Sequence, residues 1–284
     1  MANNTTINSE LFTKLLGDAQ FAAYENSIAR QIVTPFDYPA NAGKILQIPV
    51  YSAVTAGDLT EGTAPSAADT NTTSVDLTLG EIGTYFQITD MLRDSAERDV
   101  IADLGAQAGR AIAEKMDSGV FDLFNSFTNS VGTEDGAITV DNIFEAVSTL
   151  RENKVVGPLA AVVSPRQALQ LKKELAGTSG ANLTASELGN SVLRGYYIGS
   201  LAGCAIYESS LIKRDLDTDT DLELNAVGAV FAPSAMAHAM RGGIAMETQR
   251  QAAARATDVM MSAVVGQAIM QDGHGVKIVG SDSD

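Results

Sequence analysis

Apolar and polar positions divide the chain into stretches of different texture. The clearest alternation runs through Val75, Leu77 and Leu79, interleaved with Ser74, Asp76 and Thr78, the period of a half-buried strand. Past Gly80 the apolar parity switches to Ile82, Phe86 and Ile88. A one-residue slip beside glycine predicts a bulge or bend that re-aims the strand. With an earlier strand over Ile45–Val54, the run Val75–Thr89 makes a long hairpin around the tip AGDLTEGTAPSAADTNTT. A tip of that length holds too little apolar side chain to bury itself. It makes physical sense where another chain supplies the surface on which it rests.

The longest helical pattern follows. Ile101, Leu104, Ala108, Ile112, Met116, Val120, Leu123 and Phe127 recur at steps of three or four, which is one helix face. A helix from roughly Asp94 to Phe127 would be about 50 Å long, about three times the usual length in globular domains. Gly105 and Gly109 weaken it locally and predict the close approach of another backbone. Ahead of the hairpin, Leu11, Leu15 and Leu16 form one apolar cluster. Phe21, Tyr24, Ile28 and Ile32 recur at helical spacing until Pro35 and Pro39 intervene. That segment reads as an arm packing on something else.

From Pro158 the texture becomes α/β. A short buried strand, Ala160–Val163, leads to Ser164 at an N-cap, Pro165 at the first helical position, and a helix closed by Gly177. Beyond the polar loop GTSGANLTASELGN, the pattern predicts a turn over Gly195–Ser200 and a strand over Cys204–Glu208. An acidic run, Asp215–Glu223, and a strand over Ala226–Phe231 follow. Pro233–Arg241 reads as a capped short helix, and Ile244–Gln251 and Val259–Val279 as strands.

Composition narrows the function classes. The chain has 284 residues, 45% of them hydrophobic, and a formal net charge of −16. It is therefore globular, and too acidic to read nucleic acid directly. A container that holds DNA without adhering to it tolerates this charge. Cys204 is the only cysteine, which excludes an intrachain disulfide and cysteine metal clusters. The start, MANNTTINSELFTKLL, lacks a signal-peptide pattern. The most apolar stretch, Val259–Met270, is about half the ~20 residues a membrane span requires. A soluble protein made in a cytoplasm is expected.

Candidate chemistry is sparse. His238 sits among Ala and Met and His274 in a glycine turn, neither beside a carboxylate and a nucleophile. The run from Asp215 to Glu223 resembles the start of a calcium loop, but Thr220 stands where that loop needs Gly and Ala226 where it needs Glu. A solvated acidic loop is the simpler reading. Phosphate-loop and nucleophile-elbow motifs are absent, and Cys204 reads as a small buried hydrophobe. No cofactor, metal or enzymatic activity is expected. A soluble enzyme built on the α/β lobe is the competing class, and the missing motifs count against it.

Three segments, LAAVVSPRQALQLKKEL, VLRGYYIGSLAGCAIYESSLI and GQAIMQDGHGVKIV, together with the element order, resemble the major capsid proteins of tailed bacteriophages with the Hong Kong 97-type (HK97-like) fold. The resemblance implies an α+β fold divided into an N-terminal arm (1–43), an extended hairpin loop over a neighbouring subunit (44–92) and a peripheral domain with the spine helix (93–155). An axial domain (156–244) and peripheral return strands (245–284) complete it. It further implies self-assembly into hexamers and pentamers of an icosahedral shell enclosing double-stranded DNA without sequence-specific contacts. Portal and scaffolding proteins, and decoration proteins where the phage has them, would be partners, with assembly in the host bacterial cytoplasm. An encapsulin-type cellular compartment shares the fold and is the alternative.

Some relatives weld their shells through a lysine on the extended loop, but this chain has no lysine between Lys44 and Lys115 and no basic residue at all between Lys44 and Arg93. Non-covalent contacts are therefore expected. Asp58, Glu61 and Asp69 on the loop would face Arg93, Arg98 or Arg110 of a neighbour. The acidic run, placed near the symmetry axis by the same resemblance, would repel its copies unless screened or bound by cations.

Overall fold

The parity switch beside Gly80 is where the chain changes sheets. Strand β2 (Ile45–Tyr51) pairs antiparallel with β3 (Thr72–Thr78) in a separate two-stranded sheet. After Leu79 the chain re-enters as β4 (Gly80–Thr89), which pairs with β12 (Ala256–Ile269) along its length. Leu77 and Leu79 are buried in one cluster, whereas Ile88, with the half-buried Ile82 and Phe86, joins another. The slip serves two cores with one continuous run. The structure, a computed structural model, describes residues 15–23, 27–38, 43–51, 56, 58, 61–62, 72–95, 100–177, 197–212, 214–216 and 224–282.

The fold is α+β. Its four-stranded sheet has the order β1-β11-β12-β4, where β1 (Thr34–Tyr38) lies parallel to β11 (Met236–Gln251). The spine helix α4 (Val100–Phe121) covers one face of this sheet, with Ile112 and Met116 packed among Val259, Met261 and Ala263. Helix α1 (residues 15–23) crosses the spine through Leu15, Ala19 and Ala23. A Cβ added at Gly105 would lie 2.9 Å from the Leu15 carbonyl oxygen, and one at Gly109 2.2 Å from that of Ala19. The two glycines do mark a close backbone approach. Phe21, expected on the packing face, is 70% exposed, because the face of α1 that meets the spine is the one carrying Leu15, Ala19 and Ala23. Leu11 and Tyr24 lie outside the described residues.

The spine is shorter than its stripe suggests. Helix α3 (Asp90–Ser95) is separate, α4 has 22 residues, about 33 Å, and Asp122–Ser126 continue as a 3-10 helix. Three residues per turn aligns Phe121, Phe124 and Phe127. Phe124 then meets Phe121 at 5.4 Å and Phe231 at 5.5 Å between ring centroids. The apolar spacing persists beyond the α-helix because both helix types bring residues three apart to one side.

The larger sheet has the order β5-β13-β10-β6-β8-β7, with β9 (Arg214–Leu216) also on β10. Its members are β5 (Ser130–Gly132), β6 (Leu159–Val163), β7 (Tyr197–Leu201), β8 (Cys204–Glu208), β10 (Leu224–Phe231) and β13 (Gly275–Ser281). Strand β6 is buried on both faces. Leu159, Ala161 and Val163 meet helices α5 (Val140–Glu152) and α6 (Pro165–Gly177), while Ala160 and Val162 meet the phenylalanines ending the spine. Ser164 caps α6 reciprocally with Gln167.

Three expectations need correction. Only Pro233–Ala235 is helical in the predicted helix Pro233–Arg241, and the rest is strand β11. Alanine's helix propensity yields because β1 and β12 flank this segment on both edges and both its faces are buried. The turn predicted over Gly195–Ser200 lies instead at Ala202 and Gly203, both at positive φ, and joins β7 to β8. Finally, the two main cores do not divide at residues 155 and 245. Helix α5 and strand β13 pack in the larger sheet's layers, since Ile143, Leu150, Val276 and Ile278 share one cluster with Leu159.

Candidate assembly surfaces

Among the described residues, the hairpin β2–β3 is seated at its root and bare beyond it. Ile48 and Leu77 pack with Tyr38, Leu79, Ala237 and Ala239, and the Tyr38 hydroxyl donates to the Ile45 carbonyl at 3.2 Å. At the crossing with β12 a Cβ on Gly266 would lie 2.4 Å from Leu77, so this glycine admits the hairpin. Neither β2 nor β3 pairs with any further strand among the described residues, which leaves both edges open. The outer face exposes Ile45 and Tyr51. Asp58 and Glu61, at the tip, are exposed, and Asp69 lies outside the described residues.

Of the cations expected to answer those acids, Arg110 is exposed on α4. Arg93 belongs to α3, with its side chain outside the described set, and Arg98 is not described. Asp58, Glu61 and Arg110 form no ion pair with one another. Sequence reasoning missed Arg250, which donates to both carboxylate oxygens of Asp90 at 2.6 and 2.8 Å. That pair, with Asp90 N–H on the Arg255 carbonyl at 2.9 Å, fastens the β11–β12 turn to the start of α3. Nothing in their spacing of 160 residues signals it.

The face of the four-stranded sheet opposite the spine is covered by the hairpin root at one end and exposed at the other. Tyr85 (62% exposed) and Met260 (39%) stand directly across from each other on β4 and β12.

The groups weighed for chemistry have structural surroundings. Burial pushes the Cys204 thiol up to about 12, which removes it as a nucleophile at neutral pH. His274 Nδ1 lies 2.7 Å from Ser234 Oγ and its carbonyl accepts from Ala232 N–H, joining two turns. Among the described residues no group of His, Cys, Asp and Glu is placed to hold a metal ion. The acidic stretch 217–223 lies outside them.

Burial first, then the positive charge of Arg30, depresses His238 to about 4. The unfolded chain therefore binds a proton near pH 6.5 that the folded chain refuses until about 4. Stability is expected to fall on acidification between these limits, with a slope of at most about 1.4 kcal/mol per pH unit from this group. Urea unfolding at pH 7 and 5 measures it, and His238→Asn should reduce the difference.

A family model described as phage capsid protein matches residues 70–278, well over half of the chain. The chain belongs to the phage capsid protein family. It is a phage capsid protein, a structural component of the virion shell, and its fold is of the Hong Kong 97 type. Solved structures of similar fold include one titled Mycobacterium phage Che8, at 23% identity and TM-score 0.63, covering 84% of this chain and 85% of that one. The head structure of Helicobacter pylori bacteriophage KHP40 aligns at 14% identity and TM-score 0.71, over 91% of each chain. The capsid of a native GTA particle aligns at 15% identity and TM-score 0.68, covering 93% and 90%. No protein of curated function matches this sequence. The match favours the viral reading over the cellular compartment.

Proposed function

We propose that this capsid protein closes an icosahedral shell of hexamers and pentamers by laying its β2–β3 hairpin over an adjacent copy. The observation that carries the reading is the hairpin itself, seated at its root yet, among the described residues, unpaired along both edges and exposed at Ile45, Tyr51, Asp58 and Glu61. In this reading the N-terminal arm is residues 1–43 and the extended loop 44–92. The spine helix with the four-stranded sheet, to which the arm lends β1 and the extended loop β4, forms the peripheral body, and the seven-stranded sheet with α5 and α6 forms the axial lobe. Asp58, Glu61 and Asp69 face Arg93, Arg98 or Arg110 of the neighbour. Each exposed pair contributes only about 0–1 kcal/mol, but repetition around a closed shell multiplies it. The acidic surface lets double-stranded DNA be enclosed without adhesion, and no catalytic step is assigned. Assembly takes place in the host cytoplasm with portal and scaffolding partners.

Replacing residues 52–71 by a short turn tests this. The expected product is a folded chain, with unchanged circular dichroism, that sediments as small species and forms no shells. Shells of normal size from that variant would overturn the reading.

A further inference from the structure

Asp117 is an unusual residue for a spine. It sits near the C-terminal end of α4, only 2% exposed, and its carboxylate reaches across to the arm. Ser27 Oγ donates to Oδ1 at 2.7 Å, Ile28 N–H to Oδ2 at 2.8 Å, and Ala29 N–H to Oδ1 at 3.3 Å. All three partners are neutral. They open the segment that continues through helix α2 (Ala29–Ile32) into β1, which is held farther along by its pairing with β11 and by Thr34 Oγ1 donating to the Pro233 carbonyl at 2.7 Å.

We propose that Asp117 is a charge-dependent clasp on the N-terminal arm: its carboxyl seats residues 27–38 on the spine, and the proton it carries sets how firmly they are held. Three dipoles offset only part of the cost of burying an unpaired charge. Loss of solvation leads and holds the carboxyl above the usual range, against the lowering effect of Ser27, Ile28 and Ala29. Lifting the arm returns water to the group, so the ionised form favours release and the protonated form favours the seat. The sign follows. This contribution to docking is complete at low pH and is lost as pH rises through the raised value. A protonated Oδ1 donates to Ser27 Oγ while Oδ2 still accepts from Ile28 N–H, so the seat survives protonation.

Other charged groups face the same place. Arg110 and Glu114 of α4, of opposite charge, line a cavity with Asp117 and the neutral Ile28, Ser209, Ser210 and Leu211. Arg30 of α2 acts on His238 of β11, which titrates near 4. A ratio between two chains that share these groups cancels them. Asp117→Asn holds the neutral state, with Nδ2 donating to Ser27 Oγ and the amide oxygen accepting from Ile28 N–H; Nδ2 cannot accept from Ala29 N–H, so the change of the ratio with pH is what reads the charge.

The test is hydrogen exchange of peptides within 27–38 in the assembled full chain, at pH 5 and pH 8, corrected for intrinsic rates. The wild-type rate divided by the Asp117→Asn rate is expected to be larger at pH 8 than at pH 5, by on the order of several-fold. A ratio equal at both pH values, or smaller at pH 8, would overturn the clasp and leave a plain anchor. Should Asp117→Asn not assemble, Ser27→Ala serves. It removes one donor to the ionised form, so its arm should loosen relative to wild type more at pH 8 than at pH 5, and a pH-independent ratio would again overturn the proposal.

Discussion

Gly109→Ala is expected to cost about 3 kcal/mol in urea unfolding of the unassembled chain, although Ala is the better helix former. In an exposed helix the exchange gains about 0.5–1 kcal/mol. At Gly109 the new Cβ would lie 2.2 Å from the Ala19 carbonyl oxygen and 2.9 Å from its Cα, both backbone atoms. No rotamer relieves such an overlap, so α1 must lift from the spine and uncover Leu15, Ala19 and Ala23, or the spine must bend. Gly17→Ala supplies the contrast. That glycine is in α1 with nothing within 4 Å of an added Cβ, and the substitution is expected to stabilise by up to about 1 kcal/mol. Equal effects at both positions would refute the crossing.

Phe124→Ala is expected to cost about 3–5 kcal/mol in the same measurement. Phe124 is completely buried where the spine ends, between Phe121 on its own chain segment and Phe231 on β10. Its neighbours come from the arm, the spine and both sheets, including Ile32, Val120, Val162 and Met236. None of these can collapse into the vacated volume without moving a whole element. Phe144→Ala, on the outer side of α5 and 48% exposed, should change stability by less than about 1 kcal/mol while remaining free to affect contacts between copies.

The contrast between Gly109 and Pro233–Arg241 shows what the sequence made legible. Local signals read true where one physical demand dominates: the parity slip at Gly80, the two glycines one turn apart on the spine, and the Ser164-Pro165 cap followed by Gln167. The segment AMAHAM misleads because alanine satisfies helix and strand alike, and only the flanking strands β1 and β12 decide. The spine's phenylalanines mislead in a milder way, since spacing by three fits both a fraying α-helix and a 3-10 turn. Pairings such as Asp90 with Arg250, or Asp117 with Ser27, join residues 160 and 90 apart and leave no local trace. The hairpin's isolation was legible because so much small and polar sequence stands between Tyr51 and Thr72. The identity of the cations that meet its acids was not, since exposed arginines occur in several places and nothing in their spacing ranks them.

Electron cryo-microscopy of the purified, self-assembled chain tests the central claim most directly. The expected map is a closed shell in which density for β2 and β3 leaves its own body near Gly266 and runs across the outer face of the adjoining copy. A population of single molecules, each with that hairpin packed along its own four-stranded sheet over Tyr85 and Met260, would contradict the account.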